Sequence, residues 1–144
     1  MSCAAGDERV AVVDASVVVT VLAGGEHLAW AKRTLSSKGG GRSLWAPHLI
    51  DAEVGHALRR RAVAGKLEEG RAGLALRALH RLPLRRIVHA RLLEHAWELR
   101  HNLSFYDALY VALAEQLDAP LLTLDLRLAK AVRGASRVTV ETAC

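Results

Sequence analysis

Ser104-Phe105-Tyr106-Asp107-Ala108-Leu109-Tyr110-Val111-Ala112-Leu113-Ala114-Glu115 is the stretch that decides how this chain folds. Beyond Asp107 the run is small or apolar on more than one helical face. A helix of that kind offers little to water and belongs at the centre of a fold, between other layers. Asp107 is then the anomaly, because a carboxylate among Ala, Leu, Val and Tyr is costly to bury without a compensating partner. An ordinary role is also open to it: Ser104 caps the helix and Asp107 reaches back to the cap, closing a capping box.

The segments on either side alternate between two periods. Residues 10–13 are a short β-branched run, a buried strand by length, ending in Asp14. Ser16 is placed to cap a helix to about Ala23, which Gly24-Gly25 stops. Residues 27–37 are helical in composition, and 43–46 form a short strand. Pro47 leads into a helix over 49–64, ended by Gly65. A second amphipathic helix covers 68–82, interrupted by Gly70 and Gly73 and halted by Pro83. A strand at 85–88 and a helix at 91–100 precede the central helix, 105–117. A strand at 120–124 ends at Asp125; a helix at 126–132 and a strand at 138–140 close the chain. The Gly-rich patch at 38–42 is a surface loop, without the spacing or Lys-Ser/Thr ending of a phosphate-binding loop.

Strands alternating with helices define an α/β fold with a central parallel sheet and right-handed crossovers. Neither an internal repeat nor a dividing linker interrupts it. The expectation is a single domain over 1–144, with a polar N-terminal extension at 1–9. In such sheets ligands bind beyond the carboxyl ends of the strands. Asp14 and Asp125 end two strands, and Glu53 and Asp107 open helices near the same edge.

Composition narrows the function. The chain has 144 residues, 51% hydrophobic and 24% charged, within the globular range. Aromatics are only 4%, which argues against a base-stacking single-strand binder. The formal charge is +5, carried mostly by Arg, and suits a polyanionic partner. Cys3 and Cys144 lie at opposite ends and make no disulfide framework, so a cytoplasmic setting is expected. Neither a signal peptide nor a run long enough to span a bilayer is present, so no membrane is expected.

Each acid has an ordinary reading, since helix N-termini collect carboxylates. Asp125 could cap the helix at Leu126, and Asp51 and Glu53 could decorate a first turn. The joint pattern points elsewhere. Several acids at one sheet edge repel one another unless a cation intervenes. Asp14, Glu53, Asp107 and Asp125 are hard oxygen donors, which suit Mg²⁺ or Mn²⁺. The seven histidines show no zinc spacing, and no Ser sits in a nucleophile elbow. Divalent-metal chemistry on a phosphodiester follows as the expectation. Arg59, Arg60 and Arg127 are candidate phosphate contacts, with Arg71, Arg85 and Arg86 as possible additions to a basic rail. Surface charge at a helix C-terminus is the plain alternative for Arg59-Arg60-Arg61.

Taken together, Val12-Val13-Asp14-Ala15-Ser16, the mid-chain Glu53, the run from Ser104 to Ala114, and Leu122-Thr123-Leu124-Asp125-Leu126-Arg127-Leu128-Ala129 resemble the PIN-domain family. The nearest likeness is to the VapC toxins of bacterial toxin–antitoxin modules, over nearly the whole chain and in the expected order. The resemblance implies a three-layer α/β/α domain and a Mg²⁺- or Mn²⁺-dependent endoribonuclease. It implies that Asp14, Glu53, Asp107 and Asp125 form an acidic metal pocket, with Ser16, Ser104 and Thr123 in support. It further implies RNA as substrate, a homodimer, and a cognate VapB-like antitoxin that plugs the groove. The polar extension at 1–9 is longer than many such proteins carry. Two rivals share the residues: an RNA-processing PIN nuclease outside a toxin system, and a non-catalytic RNA- or protein-binding domain whose acids only cap helices.

Overall fold

The computed structural model describes residues 9–36 and 41–143. The extension before Arg9, both cysteines and residues 38–40 of the Gly-rich patch lie outside the described residues.

Five strands form one parallel sheet in the order β3-β2-β1-β4-β5. They are β1 (Val10–Val13), β2 (Ser43–Pro47), β3 (Leu84–Ile87), β4 (Leu121–Leu122) and β5 (Val140–Glu141). Val12 lies opposite Trp45 on one side and Leu121 on the other. The central pair is buried, with Val12, Val13, Leu121 and Leu122 inaccessible to water. That is why these segments read as short apolar runs without alternation.

The helices are α1 (Ala15–Ala23), α2 (Leu28–Leu35), α3 (Leu49–Val63), α4 (Glu69–Leu79), α5 (Leu93–Glu98), α6 (Phe105–Leu117) and α7 (Leu126–Ala135), with a 3₁₀ turn at His89–Arg91. They flank the sheet: α1 packs with α2, α3 and α4, while α6 lies across β1, β2 and β4 with α5 against it. On α6 the seven consecutive residues from Ala108 to Ala114 are all buried. The helix that looked central from its composition is therefore covered all round. No described helix is long and apolar enough to cross a membrane.

The strand order reverses direction between β1 and β4: β1 leads outward through β2 to β3, and β4 leads outward to β5. This is a topological switch point, where the loops after adjacent strands diverge and leave a crevice. Asp14 leaves β1 there, and its backbone N–H donates to the Leu122 carbonyl at 2.9 Å, fastening the exits of the two strands together.

Several boundaries differ from the sequence reading. The helix expected over 91–100 is a 3₁₀ turn followed by the shorter α5, with Leu92 at the junction fully buried. The strand expected over 120–124 is regular only at Leu121–Leu122, although the Thr123 N–H still donates to the Glu141 carbonyl at 3.1 Å; the Thr123 hydroxyl bonds Asp14, and Asp125 caps α7. In the other direction, α7 runs on to Ala135, through Gly134. Asp14, not Ser16, is the N-cap of α1. The α3 N-terminus is capped from a distance, with Leu49 N–H donating to His89 Nε2 at 2.8 Å.

Candidate active site

Asp14 stands at the crevice with 7% of its surface exposed. Its Oδ2 accepts from Ser16 Oγ and from Thr123 Oγ1, each at 2.7 Å. Ser16 Oγ also accepts from Leu124 N–H at 2.9 Å, and Thr123 Oγ1 from Asp125 N–H at 3.0 Å. Both hydroxyls thus turn backbone donors after β4 into donors toward one carboxylate. Burial pushes the Asp14 carboxyl above its usual range, and the bonds from Ser16 and Thr123 oppose that rise.

Glu53 comes from α3, one turn deeper than the helix-opening position the sequence suggested. Its Oε1 accepts from Tyr110 Oη at 2.6 Å. Its carboxyl is also raised, first by burial and then by the charges of Asp14 and Asp107, against the Tyr110 hydrogen bond. Asp107 is the third residue of α6, held through its N–H by the N-cap Ser104 Oγ at 3.1 Å. The reciprocal half of the expected capping box is not among the hydrogen bonds of the described residues. Instead, the Asp107 carboxylate faces Arg127 Nη1 at 4.0 Å. Asp125 does cap α7, accepting from Arg127 and Leu128 N–H at 3.0 and 3.1 Å, and its second oxygen lies 3.5 Å from Arg127 Nη2.

Capping and clustering therefore coexist. Glu53 feels the charges of Asp14 and Asp107, and the Tyr110 hydroxyl feels all three, its pKa driven up by burial and by them. Asp14, Glu53 and Asp125 line a groove of about 650 Å³. Asp107 is not among the lining residues and joins the group through its charge and through Arg127. Among the described residues, no three acids, histidines or cysteines are drawn into a closed coordination shell. The donor chemistry nonetheless fits a hard cation: all four are carboxylates, two have their charge disfavoured by burial, and Mg²⁺ keeps several waters between itself and such ligands.

The groove continues past the acids to His56, Arg60, Arg61 and Lys66. Arg60 reaches it as expected; Arg59 does not line it. Arg61 is engaged within the fold, donating to the Gly24 carbonyl at 2.9 Å. Arg85 and Arg86 do not extend a rail: Arg86 makes a two-pronged pair with Asp51 at 2.7–3.0 Å, and Arg85 lies 5.3 Å over the Trp45 ring. Arg127, with 77% of its side chain exposed, touches two of the acids. Sequence reasoning passed over Tyr110, His56 and Lys66. Only Tyr110 carried a signal, since a tyrosine inside an apolar helix needs a partner for its hydroxyl and this one falls three residues after Asp107.

The PIN domain model matches residues 11–134. The Mycobacterium tuberculosis protein Ribonuclease VapC1 is 53% identical over 121 residues, covering 83% of this chain and 89% of its own. The chain belongs to the PIN-domain family. Among solved structures, VapBC2 from Rickettsia felis, bound to a DNA fragment from its promoter, superposes with a TM-score of 0.66 at 13% identity, over 92% of this chain and 98% of its own. VapC20 of Mycobacterium tuberculosis, described as a toxin that cleaves the sarcin–ricin loop, gives 0.63 at 22% identity over 85% and 94%. At those identities the two structures speak for the fold.

Proposed function

We propose that this protein is an endoribonuclease dependent on Mg²⁺ or Mn²⁺, acting in the cytoplasm as the toxin of a toxin–antitoxin pair. The observation that carries the reading is the convergence of Asp14, Glu53 and Asp125, from three distant segments, on one groove that runs to Arg60 and Lys66, with Asp107 near enough for its charge to act on Glu53. The relationship to Ribonuclease VapC1 supports RNA as the substrate. Asp14, Glu53 and Asp107 would hold the cation, directly or through water, with Asp125 completing the set. A bound divalent cation supplies water activation at neutral pH and neutralises charge growing on the phosphoryl oxygens.

The rest falls to the chain itself. Ser16 and Thr123 fix the orientation of Asp14 and favour its ionised form against the opposing effect of burial, because their hydroxyls both donate to it. Ser104 anchors the backbone of Asp107. Arg60 and Lys66 offer charge to the phosphates of a bound strand. Arg127 lies exposed beside Asp107 and Asp125, placed to meet a phosphate near the scissile bond. A VapB-like antitoxin covering the groove and a homodimeric state complete the proposal.

The test compares wild type with Asp107→Asn on total RNA, with Mg²⁺ or Mn²⁺ and with chelator. Wild type should cleave only with metal, and the variant should lose at least about a hundredfold, the order seen when one element of an electrostatic site is removed. An Asn variant with undiminished, metal-dependent cleavage would overturn the assignment. Growth arrest on expression, relieved by a co-expressed partner, tests the toxin role separately.

A further inference from the structure

We propose that Tyr110 is a positioning residue of the acidic pocket: its hydroxyl holds Glu53 in the orientation in which that carboxylate meets Asp14 and Asp107. The inference rests on the nuclease reading and deepens it. Tyr110 is 1% exposed, and its Oη donates to Glu53 Oε1 at 2.6 Å, the length of a hydrogen bond to a charged acceptor. Tyr110 follows Asp107 by three residues, so both leave the same side of α6. One helix, buried from Ala108 to Ala114, therefore carries a pocket carboxylate and also the donor that fixes a second carboxylate, from α3.

The bond matters because Glu53, of the four acids, has the longest side chain. It is half-buried on a groove wall, on a long side chain, and the charges of Asp14 and Asp107 push it away. Left free, it would relieve that repulsion by turning into the groove. Tyr110 holds Oε1, and among the described residues Oε2 has no hydrogen-bond partner. Glu53 thus keeps one oxygen for a cation without having to be ordered when the cation binds. Ordering a Glu side chain at that moment would weaken binding. Partners behind a ligand commonly change metal affinity by about ten- to a hundredfold.

A buried tyrosine also needs a partner simply to be buried, so the experiment must separate positioning from anchoring. Tyr110→Phe keeps the ring packing and removes one oxygen. Mn²⁺ binding is titrated calorimetrically in wild type, Tyr110→Phe and Glu53→Gln; metal-free melting temperature and RNA cleavage across Mn²⁺ concentrations are measured alongside. Tyr110→Phe should bind Mn²⁺ about tenfold more weakly and need about tenfold more of it for half-maximal cleavage, with kcat at saturation within about twofold. Glu53→Gln, which keeps an acceptor for Tyr110 but loses the charge, should bind more weakly still. A Tyr110→Phe protein with a lower melting temperature but wild-type Mn²⁺ affinity would show the bond to be structural only and overturn the inference. If wild type and variant bind and cleave alike, this inference alone fails. If wild type neither binds Mn²⁺ nor cleaves RNA with it, the nuclease reading fails and takes the inference with it.

Discussion

Asp14 and Glu53 are held in the fold at some expense to their charged forms. Burial lifts both carboxyls above their ordinary range, outweighing Ser16 and Thr123 at Asp14 and Tyr110 at Glu53. The folded chain then binds protons more readily at these positions than the unfolded chain does. Under that condition stability falls as pH rises from the ordinary carboxylate value through the raised native value. The contribution of the pair is fully present below the unfolded value and lost above the folded one. In chelator, lowering the pH from neutral into that window should raise the melting temperature, and saturating Mg²⁺ should remove the effect by favouring the ionised acids. A metal-free melting temperature that falls throughout the same descent would refute this. Asp14→Asn isolates the cause, since Asn keeps a capping oxygen for α1 but carries no charge. It should abolish RNA cleavage while raising the metal-free melting temperature by about 3 °C, the shift that ~1 kcal/mol gives in a domain of this size.

At the scale of elements, the sequence spoke clearly where one period ran without interruption. The β-branched run ending at Val13 and the apolar run after Asp107 gave β1 and α6 almost to the residue. It spoke poorly where a distant group intervened. His89 caps α3 from across the fold, Leu92 is buried in the core where a 3₁₀ turn gives way to α5, and Thr123 sets its hydroxyl on Asp14 just past the regular part of β4. The site followed the same rule. Three of the four candidate acids, Asp14, Asp107 and Asp125, were conspicuous as carboxylates near element ends, while Tyr110 was hidden because its partner is 57 residues away. The basic residues were least legible, since an arginine in sequence does not reveal whether it faces a ligand or an internal partner. Arg86 shows the difference: its two-pronged pair with Asp51 joins β3 to α3. Asp51 is partly exposed, so the pair is screened and worth about 1 kcal/mol at most. Arg86→Ala should lower stability by that amount in urea melts and leave the rate of RNA cleavage unchanged. A selective loss of cleavage would return Arg86 to the substrate path.

The whole molecule is cationic, with a net charge of +5, yet its crevice is acidic. These opposite signs divide labour along one groove. The acids by themselves repel a phosphate, so attraction must come from the basic end, where Arg60 and Lys66 lie on the lining and Arg61 is engaged with Gly24. General cationic charge and a specific track make different predictions about salt. A specific contact releases a counterion from the strand, and each phosphate neutralised on single-stranded RNA contributes about 0.7 to the slope of log K against log salt. In an Asp107→Asn background, where the RNA stays intact, Arg60→Ala with Lys66→Ala should flatten that slope by about 1.4, two contacts at about 0.7 each. Arg59→Ala, on the same helix but off the groove, and Arg86→Ala, in its internal pair, should leave the slope where it was. Equal, small effects from all four substitutions would mean that RNA senses only the overall charge. The groove would then guide the strand by shape, with the acids alone fixing where it is cut.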